Sequence, residues 1–273
     1  MILEQFACTM RSMRRVAAIV LLGVSLLVAG CTDDGASPTT ADERIAREVA
    51  IYLVRDGELA PVRRVVRYDS ALEPVSPTLL ELFTGPTQDE RASGYETAVT
   101  KPVAAGGTSG APGRDGAVSI EGNTATLEWE RPLDDLALAQ IVHTLTQFPA
   151  IDRVVVHGDD NAPPVTRKAF EEEAPQILIE SPLDGDIVRS PIRLRGTANV
   201  FEATVSIEVR DGTGTVVLEA FTTATSGTGT RGTFDTELVL PGANGTMTIV
   251  AFESSAKDGK PLHVTEVQVT VKL

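Results

Sequence analysis

The chain has 273 residues, a formal net charge of −14 and only two cysteines. That length allows one large domain or two ordinary ones, and a 42% hydrophobic content is enough for a packed core. The acidic balance disfavours nucleic acid, where lysine and arginine must neutralise phosphates, and disfavours direct adsorption to anionic lipid.

The first element is an export signal. Val16 to Gly30 is nearly unbroken apolar sequence, preceded by Arg11, Arg14 and Arg15. It is shorter than the roughly 20 residues a membrane span requires; a basic start, short apolar middle and small-residue end describe a secretory signal peptide. The segment closes on "VAGC", Val28 to Cys31, which resembles the lipobox of bacterial lipoproteins. The resemblance implies cleavage between Gly30 and Cys31 and acylation of the Cys31 thiol. Translation from Met10 or Met13 would give a more usual signal than translation from Met1. Each buried methylene contributes about 0.8 kcal/mol, so one acyl chain holds marginally and several hold durably. Residues 1–30 are therefore expected to be removed. They carry three arginines and one glutamate, so the remaining chain is more acidic by two, at −16. Residues 31–44, with "TDDGASPTTADE", form a polar tether. Cys8 is lost with the signal and Cys31 is acylated, which leaves no disulfide and no thiolate site.

Residues 45–158 mix strand and helix patterns. "EVAIYLVRDGELAPVRRVVRY" predicts two strands around a turn at Asp56-Gly57. "SPTLLELFTGP" predicts a short helix capped by Ser76, with Pro77 in its first turn and Gly85-Pro86 at its end. Thr87 and Glu90 have the spacing of a capping box, and Gly94 closes that second short helix. A further strand is allowed near "YETAV". Lys101 to Ala117, rich in Gly, Ala and Pro, reads as a spacer loop. "AVSIEGNTATLEW" predicts a hairpin around Gly122-Asn123, with Ala125, Leu127 and Trp129 on one face. In "LDDLALAQIVHTLTQF", Leu138, Ile141, Val142, Leu145 and Phe148 define one buried helical stripe. "DRVVVHG" is a last strand. The order β-β-α-α-β-β-α-β makes this a mixed α/β (α+β) domain.

Residues 159–175 read as a linker, from which Phe170 packs back onto the first domain. From 176 to 273 the helical period disappears. Val205, Ile207 and Val209 alternate with Ser206, Glu208 and Arg210, and turn residues recur about every ten positions. Seven or eight such strands predict an immunoglobulin-like β-sandwich, without the usual disulfide and its tryptophan partner.

Both blocks carry a resemblance. "AIYLVRDGELAPVRR", "LLELFTGPTQDERASGYETAV" and "LAQIVHTLTQFPAIDRV" resemble the sporulation and spore germination (GerMN) domain. "IESPLDGDIVRSPIRLRGTANVFEATVSIEVRDGTG", with "GTRGTF" and "ESSAKDGKPLHV", resembles the immunoglobulin-like domain of bacterial spore germination proteins. The resemblance implies a non-catalytic, lipid-anchored envelope protein on the extracytoplasmic face of the cell membrane. It does not imply that the cell makes spores, and it brings no catalytic residues.

The remaining motifs yield no reaction. "GTGTRG", Gly227 to Gly232, satisfies G-x-G-x-x-G, but a strand-like run follows where a dinucleotide site needs a helix. Glycosidases need two carboxylates facing one cleft. Glu128 and Glu130 are next neighbours on an outward strand face, Asp134-Asp135 opens a helix as a cap, and Glu171 to Glu173 reads as a solvated charge run. His143, His157 and His263 have no common ligand spacing, and His143 sits on a helix flank. "GTSGAP" lacks the pattern of an activated serine. Asp159-Asp160-Asn161 and Asp184-Gly-Asp186 are too sparse for a calcium loop and read as turns. Phe201, in a loop between strands, is either a cap on the sandwich core or an exposed ligand contact. No cofactor and no metal are expected. The expected partners are the membrane, through the lipid, and another envelope protein or peptidoglycan, with no nucleic acid. Two other readings stand beside this one: an exported hydrolase of cell-wall glycan or peptide, and an accessory of a membrane sensor kinase.

Overall fold

The computed structural model describes residues 45–69, 74–99, 118–129, 132–157 and 163–273, all within a compact unit running from Asp42 to Leu273. The signal segment with Gly30 and Cys31, the tether, the loop Lys101 to Ala117, Glu130, Asp159 to Asn161 and the side chain of His157 lie outside the described residues.

The chain enters as a hairpin, β1 (Ile45–Arg55) and β2 (Glu58–Tyr68), in unbroken antiparallel register. Asp56 and Gly57 take φ of 56° and 83°, the two positive values a tight two-residue hairpin turn requires. Helix α1 spans Val75–Thr84. Its start corrects the expected Ser76 cap. The N-terminal flank is Pro74, whose carbonyl accepts from the Thr78 hydroxyl at 2.7 Å, and Ser76 lies inside the first turn. Gly85, at φ 75°, ends it. Helix α2 (Gln88–Ala92) opens with the expected capping box: Thr87 Oγ1 accepts from Glu90 N, and Glu90 Oε2 accepts from Thr87 N.

The short strand β3 (Tyr95–Glu96) pairs with the end of β1, giving a first sheet ordered β2-β1-β3. A second sheet is ordered β4-β5-β6 from β4 (Val118–Glu121), β5 (Thr124–Glu128) and β6 (Arg153–His157), the last parallel to β5. Between β5 and β6 runs helix α3 (Asp135–Leu145), where Asp134 accepts from Ala137 N at 2.8 Å. A single apolar stripe does not describe α3. Every residue from Ala139 to Leu145 is buried, including Gln140, His143 and Thr144, while Leu138 is only half-buried.

The polar side chains of α3 and of the turn after it have a structural task. Gln147 Oε1 accepts from Ala50 N and its Nε2 donates to Ala50 O, at 2.9 and 2.6 Å. Thr144 Oγ1 accepts from Tyr52 N at 3.1 Å, and Gln140 Nε2 donates to Tyr52 O at 2.7 Å. Gln140 and Thr144, at i and i+4, share one helix face, and Gln147 follows in the turn after α3. Together they serve the β1 edge in place of a neighbouring strand. A buried backbone group left without a partner costs about as much as a lost hydrogen bond, so these side chains let a helix lie against a strand edge.

From Ile177 onward the fold is all β, in two sheets. One is ordered β12-β9-β7, from β7 (Ile177–Ser181), β9 (Ile192–Ala198) and β12 (Gly232–Leu238). The other is ordered β11-β10-β13-β14-β8, from β8 (Ile187–Val188), β10 (Thr204–Asp211), β11 (Val216–Thr223), β13 (Gly245–Ser254) and β14 (Pro261–Val271). Val205, Ile207 and Val209 are buried between the sheets, as their alternation predicts. Strand β7 serves both domains: Ile177 and Ile179 join the sandwich core, while Leu178, on the opposite face, joins the core of the first domain. Phe170 and Ala174 also pack into that first core.

Candidate functional site

The two domains meet across a polar seam made largely by arginines. Tyr52, midway along β1, donates its hydroxyl to Glu180 Oε1 on β7 at 2.5 Å. Arg167, in a 3₁₀ turn at Arg167–Phe170, donates Nη1 to the same carboxylate oxygen at 2.5 Å, Nε to Thr146 Oγ1 at 2.7 Å and Nη2 to His143 O at 3.1 Å. Its guanidinium lies 5.5 Å from the Tyr52 ring centroid, within cation–π range. Burial pushes the Tyr52 phenol well above its ordinary value, and the Glu180 charge adds to the shift. Tyr52 therefore remains a hydrogen-bond donor.

Two further clamps flank this one. Arg63 on β2 forms a bidentate pair with Asp186, through Nε and Nη2 at 2.5 Å each, and donates Nη1 to Glu48 at 2.8 Å. Asp186 also accepts from Leu183 N, and Asp184 accepts from Gln268 N. The Asp184-Gly-Asp186 carboxylates are thus committed to turn and interdomain bonds. Arg231, beyond the "GTGT" turn, donates to Glu171 Oε2, Thr197 Oγ1 and Ala174 O. Leu59 N donates to Glu173 O at 2.8 Å. The Glu171 to Glu173 run is corrected accordingly: it belongs to the seam, not to a purely solvated surface.

Around these clamps opens a cleft of about 810 Å³, walled by β1, β2 and the end of α3 on one side and by β7, β9 and β12 on the other. Its carboxylates are engaged. Glu48 takes Arg63, Asp152 takes Asn123 Nδ2, Glu180 takes Tyr52 and Arg167, and Asp235 takes a bidentate bond from Arg193. Two exposed cations on its wall, Lys168 and Arg195, make no ion pair among the described residues.

Other residues singled out in the sequence fall elsewhere. Phe201 is 53% exposed in a 3₁₀ turn at Phe201–Ala203; Val200 and Ala203 are buried in its stead, which corrects the core-cap reading. The "GTGTRG" glycines allow close approach. A Cβ on Gly227 would lie 2.5 Å from Val200 O, and one on Gly232 would lie 2.3 Å from Ser226 N; β12 follows directly. His143 is buried against Tyr52, with ring centroids 5.1 Å apart, and neither ring nitrogen has a partner among the described residues. Burial, with the nearby charges of Arg167 and Arg231, holds its pKa well below the ordinary value. His263 Nε2 lies 3.8 Å from Glu253. Among the described residues no three His, Cys, Asp or Glu side chains gather as a metal site, and no helix is long and apolar enough to cross a membrane. Sequence reasoning missed the seam arginines. Arg167 and Arg231 stand out in segments otherwise rich in acids or turn residues, whereas Arg63 lies in a strand with two other arginines and gave no such signal.

Comparison with known families follows the same division. Residues 50–162 match the family described as sporulation and spore germination, and residues 176–260 match the immunoglobulin-like domain of bacterial spore germination. Each match covers less than half of the chain, and the two fall on separate domains. The first match runs from within β1 to β6, and the second from β7 to β13. Among solved structures, the tandem GerMN domains of the sporulation protein GerM from Bacillus subtilis are similar at 21% identity and a TM-score of 0.32, over 49% of this chain and 48% of theirs. The chain thus spans about half the length of that structure. No curated protein matches it.

Proposed function

We propose that this is a non-catalytic, lipid-anchored protein of the cell envelope, held by Cys31 at the extracytoplasmic face of the membrane, that binds another envelope protein or a cell-wall polymer. The observation that carries the binding role is the cleft between the spore-germination and immunoglobulin-like domains. Its volume, about 810 Å³, is that of a ligand site, and domain interfaces are where such sites gather. Its carboxylates and its phenol are spent on structure: Glu180 holds two donors at one oxygen, and Tyr52 is kept protonated. Groups so committed are poor acids and bases but a rigid frame for recognition. The lipid reading is supported by the "VAGC" segment alone.

Two experiments test this. Labelled palmitate should enter the parent protein and not a Cys31→Ser variant, which should also escape into detergent-free washes. Label in the variant, or none in the parent, overturns the anchor. The compact unit Asp42–Leu273, which holds both cores, should be pulled down by purified cell wall, or crosslink to an envelope protein in intact cells, without releasing soluble wall fragments. Release of fragments would establish a hydrolase instead.

A further inference from the structure

A smaller groove, of about 280 Å³, opens between the tip of the β1–β2 hairpin and strand β14. Leu59, Leu178 and Leu183 give it an apolar floor. One wall is a strand edge. Gln268 and Thr270 turn their backbone groups away from β13: Gln268 N donates to Asp184 Oδ1, Gln268 O accepts from Gly185 N, and Thr270 N donates to Asp186 O. Backbone directions alternate along a strand, so Glu266 and Val264 face the same way. Strand β8 covers only Thr270 and Val271. Among the described residues nothing bonds to the outer backbone of Val264 and Glu266, and both line the groove. Val264 is also 49% exposed, an apolar side chain uncovered beside an open edge.

A strand edge of this kind accepts an extended peptide through main-chain hydrogen bonds, with specificity supplied by side-chain sites beside it. Charge selects the occupant. The groove lining holds four carboxylates, Asp56, Glu58, Asp184 and Glu266, against one cation, Arg55. That cation is engaged: its guanidinium lies 5.4 Å from the Tyr95 ring centroid, and its Nε lies 3.9 Å from Asp56. Glu58 makes no ion pair among the described residues. Glu266 has Arg210 at 3.8 Å, but Arg210 holds Glu208 more closely, at 2.7 Å. The imbalance is local and does not merely repeat the acidity of the chain, because the larger cleft sets four acidic side chains against four basic ones. A cation directly across from Glu266 on an added strand would form the opposite-charge pair that stabilises neighbouring strands. We propose that the groove binds a basic peptide in extended form, which adds as a strand to β14 at Val264 and Glu266 and sets its cations on Glu58 and Glu266. This goes beyond the reading of the larger cleft and depends on neither that cleft nor the lipid anchor.

The test uses Asp42–Leu273 and a fluorescein-labelled hexapeptide of alternating lysine and valine, followed by fluorescence anisotropy at low and physiological salt. The basic peptide should bind, more weakly at higher salt, while its glutamate–valine counterpart should not. The double variant E58K/E266K alters two exposed side chains and should fold with an unchanged thermal midpoint, yet bind about tenfold or more weakly. The control E121K/E237K makes the same change of net charge at exposed positions outside both the groove and the larger cleft. It should bind as the parent does. N-methylation of alternate peptide amides should weaken binding about tenfold. No binding at millimolar peptide, equal binding of the acidic peptide, an indifferent E58K/E266K variant, or an equal loss in the control would overturn the proposal. Unimpaired binding of the methylated peptide would overturn strand addition. A stable dimer in sedimentation that shuts out the peptide would replace it with a second copy. The cell-wall and crosslinking assays report on the binder reading separately, so the two can fail independently.

Discussion

Tyr52 and Glu180 are 128 positions apart in sequence, on β1 of one domain and β7 of the other, and share a hydrogen bond of 2.5 Å. Hydrogen bonds to charged groups contribute about 1.5–3 kcal/mol. Tyr52→Phe keeps the ring packed on His143 and under Arg167 but removes the donor. It should lower unfolding stability by about 2 kcal/mol, read as a shift in urea midpoint at constant slope. A variant as stable as the parent would show that Arg167 alone satisfies Glu180.

Gln140 is fully buried and holds two segments at once, donating to Tyr52 O and accepting from Ala98 N at 2.8 Å. Gln140→Leu leaves both backbone groups buried without partners, at a cost of about 1–3 kcal/mol each. Gln147, half-buried and closer to water, should cost clearly less as Gln147→Leu. Equal losses in the two variants would contradict the account of α3 as a substitute strand.

His143 should make the protein sensitive to mild acid. Its folded pKa is depressed, by burial first and by Arg167 and Arg231 second, from an ordinary value of 6.5. Above pH 6.5 the ring is neutral whether the chain is folded or unfolded, and contributes no pH dependence. As pH falls below that value the unfolded chain binds a proton that the folded chain refuses, so stability declines. His143→Leu, which also removes two unpartnered ring nitrogens, should flatten the decline between pH 6.5 and 5. Parallel stability curves for parent and variant would assign the acid sensitivity to other groups.

Gly196 sits in β9 where no side chain fits: a Cβ there would lie 2.1 Å from Leu178 O and 2.6 Å from the Phe234 ring. Gly196→Ala must push β7 or Phe234 away, and overpacking of this kind costs about 1–3 kcal/mol. Because Leu178 belongs to the core of the first domain, the damage should reach both domains. Calorimetry should show both transitions lowered; loss confined to the sandwich would mean that β7 does not couple them.

Elements whose signals are local could be read from the residues alone. The Asp56-Gly57 turn needs two positive φ values, the Thr87–Glu90 box closes within one helical turn, and the alternation of Val205, Ile207 and Val209 is a property of adjacent residues. These follow from short-range sterics and the pleat period, so they survive without knowledge of the fold. The α3 stripe was only partly legible, because periodicity reports one buried face and cannot foresee that the polar face will also be buried against a strand edge. Folding alone brings Gln140, Thr144 and Gln147 to complete β1, turns Leu178 towards a different core from its two neighbours, and joins Arg63, Arg167 and Arg231 to carboxylates and carbonyls distant in the chain. Such partners are chosen by three-dimensional proximity and by the need to satisfy buried polar groups, and no spacing along a chain encodes which distant residue will arrive.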